Sequence, residues 1–183
     1  LWVLFDELSV DQERRLFFTK LLPWKIIHLG TGPKTAEEFY VAIDQAGGII
    51  GDWARAIIRG SAFSVADHPT PIDLVIITVA DLGFPKGAKY RDICAQAQKV
   101  GLLLCPLEVG PLLFLLYAMD QPKGGSLSIA TELPSGTPPG DYIGIFSITH
   151  NDLGHILYPH CGDPDNVWQN SCQIVFCLPA KSK

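Results

Sequence analysis

Residues 101–119 read GLLLCPLEVGPLLFLLYAM. One charged residue, Glu108, stands in an otherwise apolar run that Pro106, Gly110 and Pro111 interrupt. A carboxylate withdrawn from water must be paired, protonated, hydrogen-bonded or turned towards a cleft. The run therefore marks two things at once: a corner where secondary structure changes, and the best single candidate for chemistry. On its N-terminal side, Tyr90, Ile93, Cys94, Ala97 and Val100 recur at helical spacing and stop at Gly101. On its C-terminal side, Leu112 to Met119 reads as the first of several strands, followed by Leu127–Leu133, Tyr142–Thr149, His155–Tyr158 and Gln173–Leu178. Turn-forming clusters such as QPKGG and NDLG separate them, which predicts an antiparallel meander.

Upstream of the corner the pattern is mainly helical. Ser9 to Gln12 has the form of a capping box, and a helix over about Val10–Leu22 stops at Pro23. Trp24 to Leu29 is a short strand or packed connector. Thr35 to Glu38 repeats the capping-box pattern, and Phe39, Ile43 and Ala46 then run at helical spacing to Gly47-Gly48. A second short helix carries Ile49, Ile50, Trp53, Ala54, Ile57 and Ile58. Leu74 to Val79 is β-branched and apolar on both parities, as in a strand covered on both faces. The predicted fold class is α+β, with N-terminal helices packed on one face of a mostly antiparallel C-terminal sheet. Residues 1–33 are expected to form a helical extension and residues 34–183 one α+β domain.

Composition narrows the function classes. In 183 residues, 48% are apolar and 18% charged, so the chain is expected to fold rather than stay disordered. The net charge is −5 with no clustered Lys or Arg, which argues against nucleic acid as a partner. No uninterrupted apolar run reaches membrane-spanning length, and the opening LWVLFDELS lacks the basic leader of a signal peptide. Five scattered cysteines suit a reducing compartment better than a disulfide scaffold, so a cytoplasmic location is expected.

Several of these segments also resemble a known group. The segments FPKGA (84–88), YRDIC (90–94), GLLLCPLEVGP (101–111) and DQPKG (120–124) are similar to a family of small uncharacterised bacterial proteins, found mostly in uncultured or candidate-phylum bacteria. The Leu-Cys-Pro-x-Glu-Val-Gly-Pro element is the most specific part, and the resemblance runs from about Pro33 to the C-terminus. Phe114 and Leu116 stand where that family has polar residues including an Arg, and Gly124-Gly125-Ser126 stands where it has Gly-Glu-Trp. The resemblance implies a compact bacterial domain and carries no activity.

Each candidate site has two readings. Glu108 is either a general acid or base in a desolvated corner, or an acceptor of backbone N–H groups from the turn around Val109 and Gly110. It has no acidic companion in its own segment, which favours the architectural role. His150, His155 and His160, with Cys161, Cys172 and Cys177, are metal-ligand types, but no finger or protease spacing is met and no metal or other cofactor is expected. The Asn151–Gly154 turn is expected to bring His150 beside His155. Cys105 between Leu104 and Pro106 reads as a core thiol rather than a nucleophile. Among the aromatics, Trp53 is expected in the core, whereas Trp168, Tyr158 and Tyr142 are the candidates for an exposed binding surface. The resulting expectation is a non-catalytic binding module for a protein partner or a small apolar ligand, in the simplest case a homodimer. The alternative is a hydrolase using Glu108 with a histidine, with or without a metal ion.

Overall fold

In a computed structural model, residues 21–131, 144–161 and 165–180 are described. Chain order runs β1 (Lys25–Leu29), α1 (Ala36–Gln45), β2 (Ile49–Ile50), α2 (Asp52–Arg59), β3 (Thr70–Thr78), β4 (Ala88–Lys89), α3 (Tyr90–Lys99), α4 (Val109–Tyr117), a 3-10 turn (Ala118–Asp120), β5 (Ser126–Ile129), β6 (Gly144–Asn151), β7 (Gly154–Cys161), β8 (Val167–Trp168) and β9 (Gln173–Cys177). Seven strands form one sheet in the order β1-β3-β9-β5-β6-β7-β2, and β4 pairs with β8 in a small second ribbon. Within the large sheet, β5–β9 and β2–β7 are parallel and the other neighbours antiparallel.

The fold class is α+β, as expected, with corrections to how the layers are made. Three strands, β1, β2 and β3, come from the first half of the chain, so the sheet is not a C-terminal unit. The C-terminal strand β9 does not close a meander; it enters the middle of the sheet between β3 and β5. Helices also cover both faces rather than one. Phe39 and Ile43 of α1, Ala54 and Ile58 of α2, and Leu113 and Phe114 of α4 share a core with Phe146, Ile148, Leu157 and Val175. Tyr90, Ile93 and Ala97 of α3, with Leu102 and Trp168, cover Val75, Ile77, Ile145, Ile174 and Phe176 on the opposite face. This arrangement accounts for the two-parity apolar pattern of β3 and β9, whose alternate side chains enter different cores.

Residues 25–29 are an integral strand, with Ile27 and Leu29 in the core, so the segment 21–33 is tied to the sheet. The predicted helix over residues 10–22 falls mainly on residues 1–20, outside the described residues; Leu21 and Leu22 are not helical.

The largest local correction concerns the strand predicted over Leu112–Met119: residues 109–117 are helical. Pro111 lies in the first turn, where a missing N–H costs no helical hydrogen bond and the ring presets φ. Val109 through Phe114 are all buried, because α4 is wedged between α1 and β6. Such a helix has no polar stripe, and its sequence loses the 3.6-residue signal. The close approach to β6 requires Gly110: a Cβ there would lie 2.1 Å from Cδ2 of Phe146.

Helix α1 forms as its sequence predicts. Thr35 is the N-cap, its Oγ1 accepting from the Glu38 N–H at 3.2 Å. The Glu38 carboxylate reaches back one residue further than a standard box, accepting from the Lys34 N–H at 2.7 Å. Gly47 at φ +73° then ends the turn.

Candidate functional site

Glu108 is the residue preceding α4 and is 1% exposed. Its carboxylate points away from its own turn. Oε1 accepts from the backbone N–H of Gly30 at 2.6 Å, and Oε2 accepts from the backbone N–H of Ala66 at 2.8 Å. Gly30 follows β1, and Ala66 lies in the connection between α2 and β3. One side chain therefore fastens two separate loops to the start of α4. The expected amide partners, those of the Val109–Gly110 turn, are not the ones used. Those N–H groups instead donate to the carbonyls of Pro106 and Leu107, at 3.0 and 3.2 Å.

The loop geometry fits this role. Gly30 has φ +70°, and a Cβ there would lie 2.5 Å from the Ala66 carbonyl oxygen and 2.8 Å from that of His68. Only glycine allows this backbone to pass so near the 66–68 segment while presenting its N–H to the carboxylate. The Lys34 ammonium donates to the Gly30 carbonyl, closing the same turn from the other side. Among the described residues, no histidine or second carboxylate is bonded to either oxygen of Glu108. Two of the surface hollows lined by described residues, of about 310 and 320 Å³, lie along α1 at Val41 and Gln45 and between Leu21–Pro23 and Leu178–Ala180; Glu108 lines neither of these.

The histidines of the β6–β7 hairpin come together as the turn predicts. His150 and His155 are cross-strand partners, with ring centroids 3.9 Å apart and planes at 30°. Nδ1 of His150 lies 2.8 Å from the carbonyl oxygen of Gln121, and Nε2 of His155 is buried with no hydrogen-bond partner among the described residues. Burial, and secondarily the neighbouring His150, hold His155 below the usual imidazole pKa. The side chains of His160 and Cys161 lie outside the described residues. Among the described residues, no group of three His, Cys, Asp or Glu is placed to hold a metal ion.

Cys105 is buried, and its Sγ lies 3.3 Å from Sγ of Cys177. Burial, reinforced by the Cys177 thiol, pushes the Cys105 thiol well above the ordinary cysteine value, opposite to the shift a nucleophile needs.

The aromatic expectations exchange places. Trp168 is 2% exposed and stacks on Tyr90 at 5.3 Å, where β8 and α3 meet. Its polar flanking residues are those of a short ribbon strand whose alternate residue, Val167, faces outward. Trp53 is 60% exposed, although it sits among apolar residues in sequence. Helix α2 buries Ala54 and Ile58, a four-residue step that leaves Trp53 outside the inward stripe. Tyr158 is exposed on β7, and Tyr142 lies outside the described residues. Ile49 of β2 is also exposed. It pairs with Ile156, two residues before Tyr158 and on the same sheet face. Gly51, between β2 and α2, passes against Pro159 and Tyr158. Ile49 and Tyr158 are exposed on the sheet face opposite Leu157, and Trp53 is exposed in the first turn of α2, the helix that covers the Leu157 face. Sequence reading placed Trp53 in the core and so missed this surface; the spacing of Ala54 and Ile58 was the available signal.

No protein family, curated protein or solved structure matches this chain. Among the described residues, no helix is long and apolar enough to cross a membrane.

Proposed function

We propose that this chain is a non-catalytic interaction module that takes a protein partner at the β2 edge of its sheet. The observation carrying this reading is the exposure of Ile49 and Tyr158 on one face of the β2–β7 pair, with Trp53 exposed at the start of the helix that follows β2. Trp and Tyr are among the residue types that contribute most to protein contacts, and exposed apolar side chains beside them extend the patch. The edge strand is only two residues long, so side chains rather than an extended backbone ladder would carry recognition. The amides that each Glu108 oxygen accepts support this reading over the hydrolase alternative. A second copy of the chain is the simplest partner, because two-fold self-association is the commonest assembly.

The test places a photo-crosslinking amino acid at position 53 and, as a control, at exposed Lys86, with solution mass measured in parallel. The expected result is a discrete adduct from position 53 alone, at twice the chain mass if the partner is a second copy. Trp53→Ser should lower the association at least tenfold. A protein that stays monomeric and gives no more adduct from position 53 than from position 86 overturns the proposal.

A further inference from the structure

We propose that Cys105 and Cys177 form a reversible disulfide site, oxidised by low-molecular-weight disulfides such as glutathione disulfide. The two residues are 72 positions apart in sequence, yet their sulfurs are 3.3 Å apart and both thiols are free. Three backbone hydrogen bonds fix their relative position. Leu103 and Cys177 exchange N–H and carbonyl groups at 2.9 Å in both directions, and the Cys105 N–H donates to the Ala130 carbonyl at 2.6 Å. Shortening 3.3 Å to a sulfur–sulfur bond of about 2.05 Å is a movement of about 1.3 Å, on the scale of a side-chain torsion change.

The chemistry balances without any further reactant. The Cys177 thiolate attacks a sulfur of glutathione disulfide, forming a mixed disulfide and expelling one glutathione thiolate. The same local opening hydrates Cys105 and removes the burial that raises its thiol, so its thiolate then attacks the Cys177 sulfur, forming the Cys105–Cys177 bond and expelling the second glutathione. Two protein thiols are oxidised, one glutathione disulfide is reduced, and the two released glutathione thiols carry the protons. Cys177 is 5% exposed against 2% for Cys105, and it lies at the last position of β9, so it is the sulfur the oxidant meets first. Exchange is slow, because it waits on opening of the Leu103–Cys177 bridge. Once made, the bond staples the segment leading into the Glu108 corner to the central strand β9. It thereby reinforces the core that Cys105 and Cys177 share with Val109, Leu112 and Leu113 of α4.

The test needs only the native chain. Protein is incubated with glutathione disulfide, quenched by alkylation in denaturant, and digested without reductant. The incubation is repeated in urea below the unfolding transition, where local opening admits the oxidant. The expected product is a peptide pair linked Cys105 to Cys177, reversed by dithiothreitol, with a melting temperature roughly 5–10 °C above the reduced form. Recovery of both residues as alkylated thiols in both incubations overturns the proposal. So does a Cys177–glutathione adduct that never resolves, a linkage to Cys94 or Cys172 instead, or a Cys105–Cys177 link that fails to raise the melting temperature.

Discussion

Replacing Glu108 by Gln tests the loop clamp with little change of volume. In the native chain each carboxylate oxygen accepts one backbone N–H, at 2.6 and 2.8 Å, inside a residue that is 1% exposed. A hydrogen bond to a charged group is worth about 1.5–3 kcal/mol. The Gln amide keeps one acceptor but turns an NH₂ group towards the other backbone N–H, leaving two donors facing each other. The loss is one charge-assisted bond plus the weakening of the second, about 2–4 kcal/mol. Against a total stability of about 5–15 kcal/mol this is a large fraction. For a chain of this size it corresponds to a fall in Tm of roughly 4–16 °C. Urea unfolding followed by tryptophan fluorescence reads the change directly. An E108Q protein within about 0.5 kcal/mol of wild type would refute the clamp.

Three further outcomes follow from the same structure. Gly30→Ala should cost more than about 3 kcal/mol, because positive-φ strain is added to a 2.5 Å approach to the Ala66 carbonyl; Gly47→Ala, at φ +73° with open space around it, should cost only about 1 kcal/mol, and equal losses in urea titrations would contradict the close approach. Gly110→Ala should cost at least about 1–3 kcal/mol through collision with Phe146, and Phe146→Leu in the same chain should recover part of it; additive losses would count against the contact. His155 has its folded pKa below the usual value, so the unfolded chain takes up the proton first as pH falls. Its contribution to stability is complete above about pH 6.5 and is lost as the pH drops from there towards the folded value. The urea midpoint should therefore fall between pH 7.5 and 5.5 less steeply in His155→Gln than in wild type, and identical slopes would argue against it.

How much of this was legible in the sequence depends on whether the signal was local. The Thr35 cap, the Gly47 stop and the β6–β7 hairpin rest on residues a few positions apart, and they fold as read. The strands β3, β5, β6, β7 and β9 were also visible as apolar runs between turns. Their order was not, because inserting β9 between β3 and β5 depends on long-range pairing. Helix α4 was misread because its residues are apolar throughout, buried from Val109 to Phe114 and apolar even at exposed Leu116, so no polar stripe marks a helix and the run suits a strand equally well. Glu108 stood out because a lone carboxylate in an apolar run needs partners. The partners themselves, Gly30 and Ala66, lie 78 and 42 residues away, where no spacing rule reaches. Gly30 was visible only as a breaker beside Thr31 and Gly32. Trp53 and Trp168 were exchanged because composition near a residue says less about exposure than its position on a helix face or ribbon.

Amide hydrogen exchange at Gly30 and Ala66 tests the role of Glu108 most directly. Both N–H groups sit in loops, and the carboxylate is the acceptor that each of them meets. Both should exchange far more slowly than open loop amides in the wild-type chain, and both should speed up together in Glu108→Gln. Exchange at the unprotected rate in wild type, or protection that survives the substitution unchanged, would contradict the account.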